Sequence, residues 1–294
     1  MNIGEKIKVI RTQKHLTQRQ LAGDMITRNM LSRIENGAAQ PSLQTIIYLA
    51  GRLNVSPGFL LAEGEDELLF RKFYLIENIK RAFHDGELRI CRDLCRTQGL
   101  EEDDEINLIL AGCAAGIAKE EFAAGRLRSA GRFFEESADC AARSIYNSGS
   151  FKAEAAVYLR YMRKISPTLG GDLTGPAVPE GLSHADPFCV YALALESAEP
   201  PSEAIGRMVA SPATELYSDH INAICAMREG KYRESVTYLK KILDSRTAPP
   251  APLLYAVFSD LELCSKEIDD YKSAYEYSAI KLNLLERMLS EPDA

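Results

Sequence analysis

Ile3, Ile7 and Ile10 recur at three- and four-residue intervals and lead on to Leu16, so the chain opens on the apolar face of a helix that should end near Lys14-His15. Thr17 followed by Gln20 has the spacing in which two side chains satisfy the orphan amides of a helix start, predicting a second helix over about 18–24. Thr27 caps a third through Arg28-Asn29-Met30-Leu31-Ser32-Arg33-Ile34-Glu35, with Leu31 and Ile34 facing a core and Asn36-Gly37 as its stop. Ser42 opens a fourth through Leu43, Ile46, Ile47, Leu49 and Ala50 to Leu53, where Asn54 suits a left-handed terminator. Ser56-Pro57 supplies a cap and a first-turn proline for a short fifth helix, Gly58 to Ala62.

Beyond Ala62 the acidic run Glu63-Gly64-Glu65-Asp66-Glu67 marks a hinge over 63–70, separating a head of residues 1–62 from a larger domain over 71–294. The larger part repeats. A glycine, an apolar residue two positions on and a small residue five positions on recur as Gly86-Leu88-Cys91, Gly125-Leu127-Ala130 and Gly230-Tyr232-Ser235, with Asp269-Tyr271-Ala274 as a weaker copy. Gly86 and Gly125 are 39 residues apart, as are Gly230 and Asp269. Such a period predicts stacked helix pairs, in which the glycine turns the chain and the small residue lets paired helices approach. Pro167 to Pro187, dense in glycine and proline, should interrupt the array as an irregular loop, whereas Ala248-Pro249-Pro250-Ala251-Pro252 should start a helix pair.

Composition supports an all-α reading. The chain holds 35 Ala and 34 Leu against 8 Val and 10 Thr, which favours helices over strands. Phe133, Phe134, Tyr158 and Tyr161 lie at helical spacing and read as core. No apolar run approaches the length of a membrane helix, and the charged start Met1-Asn2-Ile3-Gly4-Glu5-Lys6 has no apolar secretory segment, so a cytoplasmic, non-membrane protein is expected. Seven cysteines without a C-x-x-C pair read as reduced core thiols.

Charge then divides the chain by function. Residues 1–62 carry eight Lys or Arg and three acidic residues, a net +5, and the remainder carries −12 within the overall −7. A basic head meets phosphate backbones and an acidic body is repelled by them, so any nucleic acid should be met by the first 62 residues.

Leu16-Thr17-Gln18 through Leu21-Ala22, then Ile26 through Gly37, then Pro41-Ser42-Leu43, resembles the helix-turn-helix of the phage-repressor or XRE family across nearly all of residues 3–62. The turn Gly23-Asp24-Met25-Ile26 is one residue shorter than the family's usual pattern. The resemblance implies a five-helix repressor-type head whose third helix enters the major groove. It implies base reading by Arg28, with a fork suited to guanine, and Asn29, suited to adenine, together with Ser32 and Arg33. It implies backbone contacts from Gln18, Thr27, Asn36 and Gln40.

Arg228-Glu229-Gly230-Lys231-Tyr232-Arg233-Glu234-Ser235 resembles the centre of a tetratricopeptide repeat, as does Gly125 with Ala130, Phe134 and Ser137. A repressor-type head on a tetratricopeptide-like α-solenoid resembles the Rgg, PlcR and PrgX group of peptide-pheromone receptors. That plan implies a transcriptional regulator, a homodimer on an inverted repeat of double-stranded DNA, and a short peptide or protein held by the repeats. Asn78 and Asn222, each eight residues before a repeat glycine, and the cluster Arg160, Arg163 and Lys164 are candidates to hold it. Exposed polar positions and a solvated helix face are the alternatives for these five. The other class of function left open is an interaction scaffold whose head only localises it or helps it dimerise. No phosphate loop, dinucleotide fingerprint, zinc-protease motif or nucleophile elbow is present, and His15, His84, His184 and His220 stand apart, so neither catalysis, a cofactor nor a metal is expected.

Overall fold

A computed structural model describes residues 2–62, 65–97, 100, 102–146, 149–169, 186–196 and 212–290. Every regular element among them is an α-helix. The chain divides into two compact units, residues 1–84 with 96–101, and residues 85–95 with 102–294.

In the first unit, α1 (Ile3–Gln13), α2 (Gln18–Ala22), α3 (Arg28–Glu35), α4 (Leu43–Leu53) and α5 (Pro57–Leu61) enclose Ile7, Leu21, Leu31, Ile34, Leu49, Leu53 and Leu60, all buried. Each such side chain contributes about 1.5–3 kcal/mol through burial, which makes this small core the main source of the unit's stability. The helix starts are capped as the sequence predicts. Thr17 accepts from the Gln20 amide while Gln20 reaches back to the Thr17 amide, Thr27 accepts from the Met30 amide, Ser42 from the Thr45 amide, and Ser56 from the Gly58 amide. Asn54 ends α4 in the left-handed region, at φ 51°. Leu16 lies past α1, which stops at Gln13, and reaches the core from the connection instead.

The helix expected over 18–24 ends at Ala22, because Gly23 turns the chain at φ 55°, ψ −139°, a conformation that excludes a side chain. A Cβ there would also meet the Tyr48 hydroxyl. Gly23 thus makes the sharp exit from α2 that the shortened turn requires. The same compact unit includes α6 (Glu65–His84), so residues 65–70, expected as hinge, are the first turns of a helix. Residues 63 and 64 lie outside the described residues.

The second unit holds α7 (Leu88–Cys95), α8 (Asp104–Ala123), α9 (Leu127–Arg143), α10 (Gly149–Ile165), α11 (Pro187–Glu196), α12 (Pro212–Arg228), α13 (Tyr232–Leu243), α14 (Ala251–Glu267) and α15 (Tyr271–Leu289). From α7 onward, each helix packs on the next, giving stacked antiparallel pairs in a tetratricopeptide-like α-solenoid. The repeat phrases do what their spacing predicts. Gly86, Gly125, Gly230 and Asp269 all have positive φ, between 63° and 83°, and the small residues Cys91, Ala130, Ser235 and Ala274 are all buried. At Gly125 the Arg126 amide donates to the Glu121 carbonyl, and at Gly230 the Lys231 amide donates to that of Ala226, so the turn also satisfies carbonyls at the end of the first helix. Pro250 and Ala251 open α14, as expected of that proline-rich run. Residues 170–185 of the expected loop lie outside the described residues.

The array also curls back, which its period does not predict: α14 touches α8, and α15 touches α9. The core is aromatic, with Tyr158 stacked on Phe134 at 4.5 Å and 4.4 Å from Phe188, and with Tyr161 buried nearby. Phe133 is half-buried instead, with the guanidinium groups of Arg89 and Arg92 over its ring at 5.8 and 5.3 Å. None of the seven cysteines is in a disulfide; six are buried and Cys225 is half-buried.

Glu121, buried near the end of α8, accepts from Arg126 Nε at 2.6 Å and Nη2 at 2.8 Å, and also from Arg89. The Arg126 hydrogen bonds lead in holding its carboxyl at about 2, against the cost of burial. A carboxyl held lower in the folded state than its usual value near 4.3 contributes stability above that value and loses it as pH falls toward 2. Glu121→Gln should therefore lower the melting temperature at pH 7, with the gap to wild type closing between about pH 4.5 and 2. A gap independent of pH in melts of the two proteins would refute this role.

Candidate nucleic-acid interface

α3 buries Leu31, Ile34 and Glu35 and turns its other side to solvent. Asn29, Ser32, Arg33 and Asn36 recur at three- and four-residue intervals on that side, and Arg28 stands exposed at its first turn. Ser32 is half-buried; the others are exposed. The structure thus brings all four expected base-reading residues together on one short helix, with Asn36 at its C-terminal cap. The Thr27 hydroxyl is occupied at the other end, accepting from the Met30 amide at 3.1 Å. Gln40 is exposed in the connection to α4.

Gln18 has an internal partner that sequence does not disclose. Its Nε2 donates to Glu35 Oε2 at 2.8 Å. The same carboxylate accepts from Arg11 Nε at 2.6 Å and Nη2 at 3.0 Å, while Arg11 Nη1 donates to the Leu16 carbonyl at 2.8 Å. The Glu35 side chain is 1% exposed and that of Arg11 14%, so this is a buried ion pair with its hydrogen bonds supplied. It ties α1, the start of α2 and the end of α3 at one point. The Gln18 amide is therefore a positioning group inside the head, and its Nε2 is already engaged. The spacing carries a signal for the Arg11–Glu35 pair, though not for Gln18. Arg11 and Glu35 each follow a buried apolar residue, Ile7 and Leu31, by four positions, which puts charges on faces that should be apolar.

Lys6 is likewise buried. Its ammonium donates to the Ala62 carbonyl and, at 3.4 Å, to that of Phe59, fastening the end of α5 to α1. A cation at a helix C-terminus is favoured by the exposed carbonyls there.

The candidates for holding a partner lie on three helices. Asn78 lies on α6 in the first compact unit, and Asn222, half-buried, on α12 in the second. Arg160, Arg163 and Lys164 share α10, but Glu196 of α11 pairs with Lys164 at 2.8 Å and Arg160 at 3.6 Å, which offsets part of the cluster's charge. Arg160 Nε is buried with no hydrogen-bond partner. Among the described residues one group brings metal-type ligand atoms within 4.8 Å of one another, Glu154, Asp186 and Cys189. The Lys119 ammonium bridges its carboxylates at 2.9 and 2.8 Å, and burial raises the Cys189 thiol pKa, so the group is built as an ion-pair cluster.

The helix-turn-helix family matches residues 7–60, which run from Ile7 in α1 to Leu60 in α5. Residues 7–60 form a helix-turn-helix domain. The immunity repressor protein of Bacillus phage phi105 is 38% identical over 64 residues, covering 21% of this chain and 44% of that repressor. The match therefore spans under half of the relative's length. Similar solved structures include Bacillus thuringiensis PlcR in complex with the peptide PapR7 and DNA, at 17% identity, 99% coverage of both chains and a TM-score of 0.25. The Streptococcus dysgalactiae SHP pheromone receptor Rgg2 aligns at 12% identity over 99% of this chain and 100% of its own, with a TM-score of 0.25. No helix among the described residues is long and apolar enough to cross a membrane.

Proposed function

We propose that this protein is a sequence-specific DNA-binding transcriptional regulator, with the helix-turn-helix domain reading duplex DNA and the helical repeats holding a second copy and a short peptide or protein. The observation that supports it most is the outward face of α3. Asn29, Ser32 and Arg33 line it and Arg28 stands exposed at its first turn, on a helix whose start is capped and whose end is fixed by the buried Arg11–Glu35 pair. Groups of these types match the edges of guanine and adenine in the major groove. The repeats support a polypeptide partner because stacked helix pairs suit an extended segment or another helix.

The reading predicts a difference between two substitutions. Arg28→Ala should weaken the preferred duplex by about 1–3 kcal/mol and relax its sequence preference at one position. Gln18→Ala should weaken many sequences alike, because it loosens the seating of α3 without removing a base contact. Selection of bound duplexes from random DNA by the full chain, with both variants alongside, measures this. Unchanged selection by Arg28→Ala would refute the assigned base contact. No enrichment by wild type, with or without repeats-directed ligands, would favour the scaffold.

A further inference from the structure

The helix-turn-helix domain carries a surface that neither its core nor its DNA-reading helix uses. α4 buries Ile46, Leu49, Ala50 and Leu53 and leaves Leu43 64% and Ile47 52% exposed. Gly51 continues the same stripe at the next four-residue step and is exposed too. Nothing lies within 4 Å of where its Cβ would be, and its φ is not positive. A glycine inside an exposed helix weakens it, and neither a turn nor a close neighbour within this chain requires one here. The stripe is also uncharged on a domain of net +5. The other exposed positions of α4 are Gln44 and Arg52, and Arg52 is turned back to donate to the Gln20 carbonyl at 2.6 Å.

The stripe is self-complementary. Leu43 and Gly51 stand four residues to either side of Ile47. Two copies of α4 crossing antiparallel at Ile47 would therefore seat each Leu43 in the open space over the partner's Gly51, with Ile47 meeting the partner's Ile47 on the two-fold axis. An isologous contact of this kind requires one patch to fit itself, which this one does by placing one apolar side chain on the axis, a second four residues to one side and a missing side chain four residues to the other.

We propose that this face of α4 is the contact between two heads bound to the same DNA, a proposal that rests on the regulator reading above. Three residues fall far below the roughly 1,200 Å² in total that a stable free interface buries. The contact therefore acts once DNA has brought two heads together, and its effect is to favour paired half-sites of one spacing over single ones.

The test uses the full chain, with duplexes recovered by selection from random DNA and shortened versions holding one half-site. Gly51→Leu fills the seat for the partner's Leu43 while improving the helix, so it should leave single-half-site affinity unchanged and lower paired-site affinity about tenfold or more. Ile47→Gln should do the same by a route that does not add bulk. Ile47→Cys, on a head without cysteine before Cys91, should form a disulfide between two chains on the paired site and none on the single one. Unchanged paired-site affinity in both substitutions, equal losses on single and paired sites, or a selected site without two-fold symmetry would overturn the contact while leaving the regulator reading in place. Failure of the wild-type chain to enrich any duplex would remove the regulator reading, and this proposal with it.

Discussion

Glu35→Ala should destabilise the helix-turn-helix domain by about 3–5 kcal/mol, the usual cost of removing one partner of a buried ion pair. The Glu35 carboxylate is nearly inaccessible and accepts three hydrogen bonds, two from Arg11 and one from Gln18. Truncation leaves the Arg11 guanidinium in a site with little water and one remaining acceptor, the Leu16 carbonyl, and leaves the Gln18 amide without its partner. The desolvation already spent on these groups is then uncompensated, so the loss exceeds what the pair adds when intact. Glu35→Gln should lose less, because its amide oxygen still accepts. Replacing the pair together, Arg11→Met with Glu35→Leu, should recover much of the stability while leaving DNA binding impaired, because α1, α2 and α3 are then joined only by apolar contacts that do not fix direction. Hydrogen exchange of the head amides in the full chain reads this separately from the repeats. A Glu35→Ala head protected to within about 0.5 kcal/mol of wild type would show that the network adds no stability.

The parts of this architecture visible in sequence are those fixed by neighbours in the chain. Thr17, Thr27, Ser42 and Ser56 satisfy amides two or three residues away, and the repeat glycines adopt positive φ because the turn itself demands it. The same locality explains why Arg28, Asn29, Ser32 and Arg33 could be placed on one helix from spacing alone. What escaped depends on pairs far apart in sequence. Gln18 and Glu35 are 17 residues apart and Arg11 and Glu35 are 24, so the positioning role of Gln18 needed the fold. The spacing of Asn78 and Asn222 from repeat glycines suggested equivalent places, yet α6 packs into the first compact unit and α12 into the second. The basic run on α10 looked available until Glu196, 32 residues beyond Lys164, met it from α11. Period alone also says nothing of curvature, and the return of α14 and α15 onto α8 and α9 is set by packing at Gly125, where an added Cβ would be 2.8 Å from Ala251 Cβ and 3.2 Å from Met288 Cγ.

Gly4→Ala should be as damaging as loss of Glu35, although it adds only a methyl group at an ordinary helical φ. α1 crosses the end of α3 so closely that a Cβ on Gly4 would fall well inside the Ile34 carbonyl oxygen, 3.0 Å from the Ile34 carbonyl carbon and 3.3 Å from that of Glu35. These are backbone atoms, which no rotamer change can move aside. Two effects oppose each other. Alanine is the better helix former by about 0.5–1 kcal/mol, whereas overpacking a tight contact costs about 1–3 kcal/mol and more when the backbone itself must shift. The second prevails here, because restoring ordinary contact moves α1 away from α3 and pulls Arg11 from Glu35, adding part of the ion-pair cost to the steric one. The net expectation is a loss of about 3–4 kcal/mol in the head. The helix that loses this support, α3, is the one that carries Arg28 and Asn29, so affinity for the selected duplex should fall together with stability. In Gly4→Ala chains, head amides that exchange like wild type and unchanged duplex binding would mean that the two helices can separate at that point without cost.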